Sequence, residues 1–323
     1  MKAMVVEDFK KVPTWVDFAN PIGSQTESVI HVSAAALTNL TKAQVNGTHY
    51  SSVAAFPFVA GAEGVGRLPN GKRVYFCNPS KPFGALAEQT LVRHNLCVPL
   101  PDDLDDATAA ALANPAMSSW AALIYRAKIA KGETVLINGA TGISGQLAIP
   151  IARHLGADKI IVTGRNPEIL EKLKANGADE VISLTQSSDK LVRVLKAAFA
   201  EHKVSIVLDY LWGESAEAIL AAISSNGAKH LEHNIRYVQI GSISGTSVKF
   251  PAAVLRSVPI ELMGSGIGSV ALSDLLKSIE GALNVAKPLG LSIDMECVPM
   301  SLAPTIWERN DSKSRVVFTN VSA

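Results

Sequence analysis

Val135-Leu136-Ile137-Asn138-Gly139-Ala140-Thr141-Gly142-Ile143-Ser144-Gly145 reads as an apolar strand, a tight glycine turn and the first turn of a helix. Gly142 lets the backbone approach a pyrophosphate, whose charge would sit at the helix N-terminus, and Gly145 allows close helix–sheet packing. Ala140 stands where the dinucleotide fingerprint has its first glycine, so the match is A-x-G-x-x-G. The alternative is a plain strand-to-helix turn. Context favours the nucleotide reading, with Ala140, Thr141, Gly142, Ile143, Ser144 and Gly145 as cofactor-binding residues.

Outward from this loop, strand and helix patterns alternate. KIIVTG precedes PEILEKLKANGA, DEVISL precedes SDKLVRVLKAAFAEH, and VSIVLDYL precedes SAEAILAAISSNGA. YVQIGS and PIELMGSG are further strands, and SDLLKSIEGALNVA a further helix. This alternation predicts a parallel, doubly wound α/β sheet. Pro150 falls inside QLAIPIARHLGA and should kink that helix.

The first hundred-odd residues differ. Short apolar or alternating runs such as SVIHVSAAAL and RVYFC are separated by Asn20-Pro21, Asn46-Gly47, Pro69-Asn70-Gly71 and Asn78-Pro79. They predict a barrel-like β domain. The strand-like tail from about Leu291, including SRVVFTNV, is expected to rejoin it.

The chain has 323 residues, 30 basic against 29 acidic, 48% hydrophobic and 18% charged. Such a composition excludes a disordered chain, and the charge balance argues against a protein that grips nucleic acid or membrane by charge alone. No run is long and apolar enough for a transmembrane helix, and the start lacks the apolar core of a signal peptide. A cytoplasmic protein is expected. Cys77, Cys97 and Cys297 are too few and scattered for a disulfide scaffold or a zinc lobe.

The end of the second strand bears on the dinucleotide. An NAD site places Asp or Glu there to hold the ribose hydroxyls. Here it runs Thr163-Gly164-Arg165-Asn166-Pro167, with no carboxylate before Glu168. Gly164 leaves room, Arg165 supplies a fork matched to a 2′-phosphate, and Asn166 adjoins them, so NADPH is expected over NADH. The alternative is that Arg165 is an ordinary surface residue.

Several segments together resemble the medium-chain dehydrogenases/reductases, in the zinc-free quinone oxidoreductase (zeta-crystallin-like) branch. FPFVAGAEGVGRL followed by GKRVYF, GALAEQTLV, NPAMSSWAAL, GATGISGQLAI and LKANGADEVI carry the likeness along nearly the whole chain. The resemblance implies a GroES-like β-rich catalytic domain over 1–115 and 286–323 flanking a Rossmann domain over 116–285, and a homodimer paired through an edge strand. Val258 to Met263 is the candidate edge, because Pro259 suits an edge better than a central strand.

Zinc-dependent relatives carry a cysteine where this chain has Asn39 and a histidine where it has Ala62, so no metal is expected. Without a Lewis acid the easier chemistry is hydride delivery to a quinone or an α,β-unsaturated carbonyl. Two alternatives remain open: an enoyl reductase acting on a thioester or biosynthetic intermediate, and a non-catalytic NADPH-binding protein, crystallin-like or RNA-binding. No nucleic acid or membrane partner is expected.

The resemblance also distributes roles. Tyr50 and the adjacent His49, which is inserted relative to the family's Gly-Thr-Tyr form, are the candidate catalytic residues, as donors to a substrate oxygen. The alternative is a pair of loop residues anchoring the first domain. Asn39 and Ser118 fall near the nicotinamide ribose, Gly241 and Ser242 beside the nicotinamide, and Arg315 by the cofactor phosphates. For Asn39, Ser118 and Arg315 the alternatives are a turn-fixing asparagine, a serine satisfying helix backbone and a surface arginine. Gly266, in a second glycine cluster, is a further cofactor candidate. Asp209 ends a strand, where a turn-capping role fits better than chemistry. Glu63 is expected to satisfy backbone groups.

Overall fold

The computed structural model describes residues 1–48, 52, 55–224, 233–309 and 314–320. They fall into two units, Met1–Asn114 with Leu283–Ala323, and Pro115–Ala282.

The first unit is built from β1 (Lys2–Val6), β2 (Thr14–Asp17), β3 (Glu27–Ala36), α1 (Asn39–Val45), β4 (Phe58–Val59), β5 (Glu63–Arg67), β6 (Arg73–Cys77), β7 (Gln89–Arg93) and β8 (Cys97–Pro99). β1 pairs antiparallel with β2 and β4. β3 is long enough to pair with β7 along its first half and β5 along its second. The turn signals fall between these strands: Gly71, at φ +80°, closes the β5–β6 hairpin, where Leu68 N–H donates to Lys72 O at 3.0 Å. Such a φ suits glycine because no Cβ meets the backbone.

α2 (Asp106–Ala121) leads into the second unit and ends in a wide π-type turn, Ala122–Ala127. There follow β9 (Thr134–Asn138), α3 (Ile143–His154), β10 (Lys159–Gly164), α4 (Pro167–Ala175), β11 (Glu180–Ser183), α5 (Ser188–His202), β12 (Val204–Asp209), α6 (Gly213–Ser224), β13 (Ile235–Gln239), α7 (Ala252–Ser257), β14 (Ile260–Gly264) and α8 (Leu272–Asn284). The sheet order is β11-β10-β9-β12-β13-β14, every neighbouring pair parallel. β9 and β12 are buried at every position, which is why they read as unbroken apolar runs rather than alternating ones. On α5, Leu191, Leu195, Ala198 and Phe199 form the buried face, at helical spacing. α3 continues through Pro150 to His154, although the proline has no N–H to bond the preceding turn.

β14 occupies the sheet edge, as Pro259 suggested, with Glu261 and Leu262 exposed. The chain then returns to the first unit through β15 (Met295–Pro299) and β16 (Arg315–Thr319). β16 pairs parallel with β15 and antiparallel with β3, completing the sheet β15-β16-β3-β5-β6-β8.

The strand order of the second unit reverses between β10 and β12, on either side of β9. Ligands of doubly wound sheets lie at the carboxyl ends of the strands at such a reversal. The glycine turn leaves the end of β9 there.

Candidate cofactor site

Gly139 follows β9 with φ +89°, turning the chain sharply above the sheet. Gly142, extended at φ −82° and ψ 162°, is the N-cap of α3 and has no side chain to cap the exposed amides. Helical geometry leaves the first N–H groups of α3 without intrahelical partners, and no acidic residue stands in its first turn. That end is an uncontested positive pole.

A Cβ placed on Gly142 would meet only Gly139 O, at 3.7 Å, so the space over it is open to a phosphate. Gly145 is the opposite case. A Cβ there would come within 2.6 Å of Ala140 Cα and of Gly139 O, so α3 sits directly on the turn. Gly145→Ala must push helix from strand and is expected to cost about 2 kcal/mol. A lowered urea midpoint together with weakened nucleotide binding is the expected result, and an unchanged midpoint would contradict this packing.

Beneath the turn, four adjacent strands are joined by buried side chains. Thr163 of β10 donates to Asn138 Oδ1 of β9 at 2.6 Å. Asn138 Nδ2 donates to Asp209 Oδ1 of β12 at 2.8 Å and to Ser215 Oγ at 2.9 Å. Tyr237 of β13 donates to Asp209 Oδ2 at 2.6 Å. Asn138, Thr163, Asp209 and Tyr237 are all fully buried. Burial, and then the Asp209 charge, hold the Tyr237 phenol well above its ordinary range. Asp209 also accepts from Leu211 N at 2.9 Å and Trp212 N at 3.0 Å, the turn-capping role its position suggested. Asn138 and Thr163 each carry a sequence signal, a polar side chain closing an apolar run, whereas Tyr237 stands between Arg236 and Val238 in a strand of mixed polarity and carries none.

At the end of β10, Gly164 is buried while Arg165 and Asn166 are exposed. Asn166 is engaged as the N-cap of α4, accepting from Ile169 N at 3.1 Å ahead of Pro167. Ser118 donates to Pro115 O at 2.7 Å within α2. Beside it the Tyr210 hydroxyl is buried with no partner among the described residues, and burial pushes it up to about 12 while Ser118 and Ser119 offset part of the rise. The segment after β13 is tied to the end of β12, since Ile240 and Gly241 both donate to Asp209 O. Ser242 lines a cavity of about 410 Å³ with Trp212, Gln239, Thr246, Leu262, Met263 and Gly264. Gly266 has open space where a side chain would be.

In the first unit, Asn39 is exposed at the start of α1, which Thr38 caps by accepting from Thr41 N at 3.0 Å. Glu63 accepts from the side chains of Tyr75, at 2.6 Å, and Asn114, at 3.1 Å, rather than from the backbone groups expected. Arg315 opens β16 with its Nε buried and unpartnered among the described residues. Burial draws its pKa below the ordinary value, and the nearby Glu63 and Tyr75 oppose that shift. His49 and Tyr50 lie outside the described residues. Among those described, no three His, Cys, Asp or Glu side chains converge as a metal site.

A family model described as zinc-binding dehydrogenase matches residues 144–281, all within the second unit. The probable NADPH-dependent quinone reductase tdiC of Emericella nidulans is 28% identical, over 95% of this chain and 98% of that protein. Along nearly its whole length the chain is thus similar to the quinone oxidoreductases of the medium-chain dehydrogenase/reductase type. Human quinone oxidoreductase is 28% identical over a stretch covering 65% of each protein. The quinone oxidoreductase of Thermus thermophilus, solved alone and with NADPH, superposes with a TM-score of 0.79 at 24% identity, over 99% of this chain and all of that one. In fold, the two units match the GroES-like and Rossmann architecture of these neighbours. The matched family model covers neither Asn39 nor Ala62.

Proposed function

We propose that this oxidoreductase uses NADPH to reduce quinones or α,β-unsaturated carbonyls without zinc. The observation that carries the cofactor reading is the pairing of an open glycine turn, at an acid-free helix N-terminus, with a second strand that ends in Gly164 and the exposed Arg165. Gly142 to Gly145 would hold the pyrophosphate and Arg165 the 2′-phosphate. NADPH supplies a hydride when bound. The chain's own contribution is orientation: Ser118, Gly241, Ser242 and Gly266 are proposed to fix the nicotinamide half, Asn39 and Arg315 to assist, and Tyr50 or His49 to donate to the acceptor oxygen.

Asn39 and Ala62 support the zinc-independent reading, because an amide and a methyl group cannot replace thiolate and imidazole ligands. An already electrophilic acceptor needs only donors where negative charge develops. The whole-length likeness is to a quinone reductase, which supports this reading over a thioester enoyl reductase or a non-catalytic binder.

The test is loss of reduced-nicotinamide absorbance with NADPH or NADH and a panel of 1,2-naphthoquinone, 9,10-phenanthrenequinone and a 2-alkenal. Turnover with NADPH supports the proposal. Silence across the panel, with NADPH bound, overturns the reductase reading.

A homodimer through β14 belongs to the same proposal. Its free edge and the 42% exposure of Leu262 are the supporting features. Light scattering should give a dimer, and Leu262→Lys a folded monomer. A monomeric wild type would sink this part. No helix among the described residues is long and apolar enough to cross a membrane, and a cytoplasmic location completes the proposal.

A further inference from the structure

The end of β10 is not empty where Gly164 lacks a side chain. An ideal Cβ on Gly164 would come within 2.3 Å of Thr141 Cγ2, 3.2 Å of Thr141 Oγ1 and 3.2 Å of Leu170 Cδ2. Thr141, on the glycine turn, lays its side chain across the end of the neighbouring strand.

The backbone there has little freedom to yield. Ala140 N donates to Thr163 O at 2.8 Å, Leu184 N donates to Gly164 O at 2.8 Å, and Gly139 N donates to Thr163 Oγ1 at 3.1 Å. Relief must therefore come from Thr141. Its two heavy branches both lie close to the new Cβ, in two of the three staggered positions. Turning the hydrogen toward the 2.3 Å position still leaves a heavy branch at the 3.2 Å position, a tight contact, so rotation relieves the overlap only in part.

We infer that Thr141 is a specificity-determining residue: it fills the volume that a carboxylate-bearing side chain at position 164 needs, and so bars the NAD-type ribose contact. This rests on the NADPH reading proposed above. It goes beyond that reading, because Arg165 explains attraction of a 2′-phosphate whereas Thr141 explains why an acid on the adjacent position is excluded. The two positions are coupled, and position 164 cannot be changed productively alone.

A double-mutant cycle of Thr141→Ala, Gly164→Asp and the pair tests this, read by thermal unfolding of the cofactor-free protein and by fluorescence titration with NADPH and NADH. Gly164→Asp alone should lower Tm by about 5 °C, the range for a strained core substitution, and gain no NADH affinity. On the Thr141→Ala background the same change should cost less than half as much Tm and raise NADH affinity at least about tenfold over Gly164→Asp, of the order of one recovered polar contact. Additive Tm effects, or NADH binding gained by Gly164→Asp alone, would overturn the inference. A wild type that binds no NADPH would instead overturn the proposed function, and the Tm cycle would still judge the contact between Thr141 and position 164.

Discussion

Arg165→Asp weakens NADPH binding by about two orders of magnitude while NADH binding changes by less than about threefold. The wild-type guanidinium is exposed at the end of β10, next to a glycine, and among the described residues it makes no ion pair. No described residue competes for it, so the proposed contact would give a 2′-phosphate a charge-assisted fork worth about 1.5–3 kcal/mol. The aspartate removes that fork and adds repulsion. NADH has no 2′-phosphate and senses neither effect. Fluorescence titration of both nucleotides at one fixed ionic strength is the measurement. Equal losses for the two would show that the variant damages the turn generally and would refute the assignment of Arg165.

Asp209→Ala lowers stability by about 4 kcal/mol, because it removes the acceptor of several buried donors at once. Asn138 Nδ2 would lose one of two partners, while Tyr237 OH and the amides of Leu211 and Trp212 would lose the bonds described above. Asp209→Asn keeps the shape but presents an N–H to one of these donors, and a smaller loss of about 2 kcal/mol is expected. Urea unfolding measures both. Had Asp209 a chemical role instead, the asparagine variant would keep its unfolding midpoint and lose turnover. The network predicts the reverse order, with stability falling first.

How much of this was legible depends on the range of the interaction. The nucleotide turn could be read because strand, glycines and helix start are contiguous, and each glycine has a local reason. The β14 edge could be read from Pro259, since a missing N–H is a property of one residue. The side-chain chain from Thr163 to Tyr237 could not, because it crosses four strands whose order is a tertiary fact. Glu63 illustrates the same limit. Its partners Tyr75 and Asn114 come from another strand and a helix, so a local rule assigned it backbone groups instead. Arg315 was read through resemblance, and its neighbours are set by the return of β16 to β3. Thr141 over Gly164 escaped for a further reason: a glycine in a sequence signals missing volume, and only coordinates reveal that a neighbour has filled it.

The bonded row Thr163–Asn138–Asp209–Tyr237 has a bearing on how a nucleotide is received. It ties the carboxyl ends of β10, β9, β12 and β13 while folding proceeds, with no ligand required. The proposed phosphate seat is thus pre-organised, and the entropy of assembling it is lost at folding rather than at association. On that proposal affinity is set by the few groups at the rim, and a substitution of Arg165 would retune which nucleotide is held without rebuilding the seat.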